Sequence, residues 1–71
     1  MKRVPVESSA IASIGYDDET ETLEVEFTSG TVYRYLRVPA SVAAAFVDAD
    51  SRGKYFGEFV REAGYEYYQV S

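Results

Sequence analysis

The stretch that decides the fold is Thr22-Leu23-Glu24-Val25-Glu26-Phe27-Thr28-Ser29-Gly30-Thr31-Val32-Tyr33-Arg34-Tyr35-Leu36-Arg37-Val38. From Thr22 to Thr28 apolar and acidic residues alternate, with Leu23, Val25 and Phe27 on one side and Glu24 and Glu26 on the other. That period of two predicts a half-buried strand. A second strand, Thr31 to Val38, follows the Ser29-Gly30 turn, and the length of that turn decides which way the tyrosines face. A two-residue loop would set Arg34 opposite Val25 on the apolar side, burying a charge. A three-residue loop, with Gly30 left-handed in a G1 bulge, pairs Phe27 with Thr31, Val25 with Tyr33 and Leu23 with Tyr35. Glu24 then meets Arg34 across the strands, and each such pair contributes about 0.2–1 kcal/mol. The three-residue register is therefore expected.

Working outward, Ser8 to Asp17 reads as a preceding strand, with Ala10, Ala12, Ile14 and Tyr16 on one face and Ile11 on the other. Such a pattern requires either a bulge or two partly covered faces. Asp17 to Glu21 is a polar turn. Beyond Val38, Pro39 cannot continue a ladder and suits the first turn of a helix. From Ala40 to Ala49, Val42, Ala45, Phe46 and Ala49 recur at helical steps, giving one narrow face of mostly small residues. Ser51 is a good N-cap for a second helix with Phe56, Phe59, Val60 and Ala63 on one face, and Gly64 is its natural stop. Tyr65 to Val70 is β-prone and is expected to add a short strand or an extended tail. The expected architecture is α+β: a three-stranded antiparallel meander, then two short helices packed on one face, with a short C-terminal strand as an optional addition.

With 71 residues, 46% of them apolar, the chain is expected to make one small domain over 1–71, with its core spanning about 7–70. Seven Tyr and four Phe supply bulk for that core, because a domain this size buries little surface per residue. The chain has no Cys and no His, so disulfides, thiolate metal sites and imidazole base catalysis are excluded. No long apolar run or leader-like N-terminus suggests a membrane or export route, and a cytoplasmic location is expected. No cofactor, metal site or catalytic constellation emerges; the acidic Asp17-Asp18-Glu19 cluster lacks EF-hand spacing.

Net charge is −5, unevenly distributed. Glu7 to Ser29 carries seven acids and no base, whereas Gly30 to Lys54 sets Arg34, Arg37, Arg52 and Lys54 against Asp48 and Asp50. The Ser51-Arg52-Gly53-Lys54 segment combines a helix start with two cations, a generic anion site, although it lacks the length and ending of a P-loop. Arg37 is expected to join it, while Arg34 is expected to be occupied by Glu24. Tyr33 and Tyr35 are expected to pack inward rather than stack on bases. Tyr65, Tyr67 and Tyr68 exceed what so small an interior can enclose, which makes them candidates for an interface.

Several segments taken together resemble the KTSC domain: Ser8-Ser9 through Tyr16, the Leu23-x-Val25-x-Phe27-x-x-Gly30-x-x-Tyr33-x-Tyr35 hairpin, Val38-Pro39, and Ala49-x-Ser51-x-Gly53-x-Tyr55-Phe56. The likeness covers nearly the whole chain, and Gly57 departs from it, standing where the family often has Asn. KTSC domains occur at the C-terminus of some lysyl-tRNA synthetases and as stand-alone bacterial or phage proteins. The resemblance implies a function that is essentially uncharacterised, with RNA binding conjectured from the synthetase association. The leading expectation is thus a non-enzymatic RNA-binding module using Arg37, Arg52 and Lys54. The alternatives are a self-associating protein-interaction module and a small oligomer that takes a phosphorylated small molecule or nucleotide.

Overall fold

Gly30 adopts φ 96°, and its N–H donates to the Phe27 carbonyl at 2.9 Å while the Phe27 N–H donates to the Thr31 carbonyl at 2.9 Å. The three-residue turn therefore forms, and it sets Leu23 against Tyr35, Glu24 against Arg34 and Val25 against Tyr33. The structure, a computed structural model, describes residues 2–71. Its strands are β1 (Arg3–Pro5), β2 (Ile11–Asp17), β3 (Thr22–Phe27), β4 (Val32–Tyr35) and β5 (Tyr67–Gln69), all antiparallel in the order β1-β2-β3-β4-β5. The sheet thus has five strands where a three-stranded meander was expected. The C-terminal segment does form a strand, beside β4, and the N-terminal strand β1 is an addition. Three residues that include a proline carry no period-two pattern, and β1 is held by pairing with β2 rather than by its own sequence.

A register shift between Ile11 and Ser13 makes β2 bulge, which resolves its broken alternation. The extra residue lets both Ile11 and Ile14 reach the core, at 0% and 2% exposure. They join Leu23, Val25, Tyr35 and Val38 beneath the helices.

Helix α1 (Ala40–Asp48) starts after Pro39, as its missing donor dictates. It buries Ala43 and Phe46, with Val42 and Val47 half-buried, whereas Ala45, expected on the inner face, is exposed. In a run of alanines nothing but the large Phe46 fixes the rotation, and the valines on both sides of it share the boundary. Helix α2 (Arg52–Phe56) is capped by the Ser51 hydroxyl, which accepts the Lys54 N–H at 3.4 Å. It passes directly into a π-helical turn, Gly57–Arg61. Phe56 and Val60 stay buried, but the widened turn carries Phe59 to 52% exposure, and Ala63 is exposed as well. The four-residue apolar face expected for this helix is therefore halved. Gly64 ends the segment at φ 86°.

Candidate functional site

Alternation along β4 sends Tyr33 and Tyr35 to the helix-bearing face, and pairing with β5 brings Tyr67 beside Tyr35. The helices close over Leu23 and Val25, both fully buried, but leave the β4–β5 side of that face partly open. What remains is a basin of about 350 Å³. Its floor is Tyr35 and Phe56, at 5% and 6% exposure, with ring centroids 5.5 Å apart in a T-shaped contact. Phe27 and Tyr33 form one wall, edge to face at 6.0 Å. Tyr67, 61% exposed, forms the other and stacks on Tyr35 at 5.4 Å and 28°. Such arrangements suit the ring quadrupoles and hold each face in place.

The rim is polar. Ser29 and Thr31, whose hydroxyls lie 3.2 Å apart, stand at the hairpin end, and Arg61 stands on the π-helical turn. Among the described residues Arg61 makes no ion pair, in contrast to Arg3, Arg34 and Arg37. Burial pushes the Tyr35 phenol up from its ordinary value, as do the Tyr67 and Tyr33 rings, while the Arg61 guanidinium draws it back down. Sequence reasoning missed Arg61, because a regular helix with Phe59 inward would have turned it to bulk solvent; no pattern of period 3.6 announces a π turn.

The residues singled out from sequence do not form one patch. Ser51, Arg52, Gly53 and Lys54 do line a shared concavity of about 440 Å³, together with Glu7 and Asp50. Yet the Arg52 guanidinium is directed to backbone, Nε donating to the Val47 carbonyl at 2.9 Å and Nη1 to that of Glu7 at 3.2 Å. It ties the end of α1 to the segment before β2. Arg37 follows β4 at the other end of the sheet, with φ 58°, and its guanidinium lies 3.5 Å from the Glu66 carboxylate. Both of those side chains are mostly exposed, a pairing that contributes about 0–1 kcal/mol.

Nor do the tail tyrosines share a surface. Tyr65 packs half-buried against the core, Tyr67 joins the basin, and Tyr68 points to the opposite face of the sheet. There, Arg34 Nη1 donates to the Tyr68 hydroxyl at 3.3 Å, and Arg34 Nε meets Glu24 Oε1 at 2.7 Å. Hydrogen bonds to Tyr68 and Glu24 push the Arg34 guanidinium further up. The second Glu24 oxygen takes Arg3 Nη1 at 2.8 Å.

The KTSC domain family matches this chain across residues 7–67. The chain belongs to that family. A protein of Stutzerimonas stutzeri described as uncharacterized is 46% identical over 70 residues, covering 99% of each chain. A lysine–tRNA ligase of Nostoc punctiforme is 42% identical over 55 residues, which are 78% of this KTSC domain and only 10% of the ligase. The crystal structure of a KTSC domain protein from Yersinia pestis superposes with a TM-score of 0.93 at 34% identity, over 99% of this chain and 97% of that one. Among the described residues no helix is long and apolar enough to cross a membrane.

Proposed function

We propose that this KTSC domain is a cytoplasmic, non-catalytic module that engages single-stranded RNA by stacking bases in the aromatic basin. The observation that carries the reading is Tyr67, a ring left 61% exposed at the wall of a basin already floored by aromatics. Base-on-ring stacking contributes about 1–3 kcal/mol per base and tolerates any base. A net charge of −5 opposes a protein that grips RNA mainly by its phosphates, which favours ring contacts over a duplex-tracking surface. The lysine–tRNA ligases that share this segment add support, since their name puts tRNA among their substrates.

Fluorescence anisotropy of a labelled, unstructured oligoribonucleotide at low salt tests the proposal. Binding is expected for the single strand and not for the duplex, and Tyr67→Leu is expected to weaken it at least about fivefold while Tyr67→Phe retains it. No binding at low salt, or equal binding of the duplex, removes the reading.

A second reading is self-association through the β5 edge, favoured by Tyr68 and Val70, which are 47% and 43% exposed there. Light scattering across a dilution series decides it; the mass of one chain at every concentration rules it out.

A further inference from the structure

We infer that the basin is a one-nucleotide site, holding a single base against its rings and the phosphate attached to that base's ribose on Arg61. This rests on the stacking reading above and goes further by naming the ligand: a nucleoside monophosphate, free or as the phosphorylated terminal nucleotide of an RNA.

Size comes first. At about 350 Å³ the basin lies at the small end of the range of about 300–1,000 Å³ typical of small-molecule sites. It accommodates one ring system with its substituent and leaves no room for a second base stacked beside the first. Charge comes second. Arg61 is the basin's cation and has no carboxylate partner among the described residues, whereas Arg3, Arg34 and Arg37 each pair with a carboxylate and Arg52 donates to two backbone carbonyls. A planar fork of donors beside a slot for a planar ring is complementary to a phosphate held a few ångströms from a base.

The backbone fits this assignment. An added Cβ at Gly57 would lie 3.6 Å from Arg61 Nη2, so the guanidinium lies back across the residue that opens the π-helical turn. Turns of this type interrupt helices frequently at functional sites. Glu58 and Glu62 flank Arg61 along the chain without pairing with it, and their charge disfavours a ligand carrying more than one phosphate. At the other end of the basin the Ser29 and Thr31 hydroxyls stand ready for the polar edge of a base.

The test titrates the full chain with adenosine, adenosine 5′-monophosphate, and the same oligoribonucleotide with and without a 5′-phosphate, following tyrosine fluorescence and amide chemical shifts. The monophosphate is expected to bind at least about fivefold tighter than adenosine, with that advantage lost in Arg61→Gln and partly restored in Arg61→Lys. Arg61 is exposed and has no ion-pair partner among the described residues, so an unchanged circular dichroism melt is expected to show that both variants fold. For the 5′-phosphorylated oligoribonucleotide a single phosphate contact also predicts a shallow salt dependence, with log K falling by about 0.7 per decade of salt. Preference for the 5′-phosphorylated oligonucleotide over the free nucleotide supports the RNA end as the source, and the reverse supports the free nucleotide. Equal binding of adenosine and its monophosphate, or a phosphate advantage that survives Arg61→Gln, overturns the one-nucleotide site while stacking stands. No response to any of the four ligands overturns both.

Discussion

Two arginines stand beside tyrosines on opposite faces of the β4–β5 pair, and their surroundings differ in one respect. Around Arg34 a carboxylate completes the arrangement: Glu24, only 5% exposed, accepts Arg34 Nε on one oxygen and Arg3 on the other, and the Tyr68 hydroxyl accepts Arg34 Nη1. Around Arg61 the basin offers rings and hydroxyls, and Glu58 and Glu62, which flank it along the chain, do not pair with it. The first cluster is closed, its charges balanced within the fold. The second leaves its guanidinium without an ion-pair partner among the described residues, and on that difference the proposed one-nucleotide site rests. Charge patterning alone points the other way, because Arg61 lies beside Glu62 and three residues from Glu58, whereas the glutamate that pairs with Arg34 lies ten residues away.

Breaking the closed side is expected to have the largest effect. Glu24→Gln leaves two guanidiniums without their carboxylate, and urea denaturation is expected to show a loss of about 2 kcal/mol, less than the roughly 3–5 kcal/mol of a fully buried pair because both arginines reach solvent. Arg61→Gln, by contrast, is expected to change stability by no more than about 0.5 kcal/mol. Equal losses for the two would erase the distinction.

Gly15→Ala sharpens it. An added Cβ there would meet Arg3 Cγ and the Lys2 carbonyl, each at 2.9 Å, so β1 must shift and the Arg3–Glu24 pair must lengthen. A loss of about 1–2 kcal/mol is expected by the same denaturation, with RNA affinity unchanged. Smaller again, Tyr68→Phe removes one acceptor from Arg34 and is expected to cost about 0.5–1.5 kcal/mol, also without effect on binding; a drop in affinity would move the ligand to the wrong face.

The smallest expected effect is one of pH. Tyr16 and Tyr35 titrate above the ordinary tyrosine value of 10.0, Tyr16 through burial and then Glu21, Asp18 and Asp17, Tyr35 through burial and then its tyrosine neighbours. The unfolded chain gives up these protons first, so stability is level below about pH 10 and falls as pH rises through the raised folded values. Thermal melts on either side of pH 10 check this, and Tyr35→Phe is expected to flatten the decline.

How legible these features were depends on how local their causes are. The hairpin and its register followed from seventeen consecutive residues, because Gly30 alone accommodates φ 96° without strain and the alternation of Leu23, Val25 and Phe27 admits one burial face. The Glu24–Arg34 pairing, the Ser51 cap and the Gly64 stop are equally local. The two candidate sites were not. Arg52 reads as a free cation in sequence, yet its donors are taken by two carbonyls, one of them forty-five residues away.

By itself, the sequence determined which residues alternate, where the chain turns and which helices begin and end, since those depend on backbone preference and on neighbours a few positions apart. Tertiary structure alone decided that Arg3–Pro5 becomes a strand, that the second helix widens at Gly57–Arg61, and that Arg61 rather than Arg37, Arg52 or Lys54 faces an open aromatic wall. Each of those outcomes depends on groups brought together from distant parts of the chain: β2 supplies the hydrogen bonds that β1 lacks alone, and the fit of Phe56 and Val60 to the sheet outweighs the regular helical repeat.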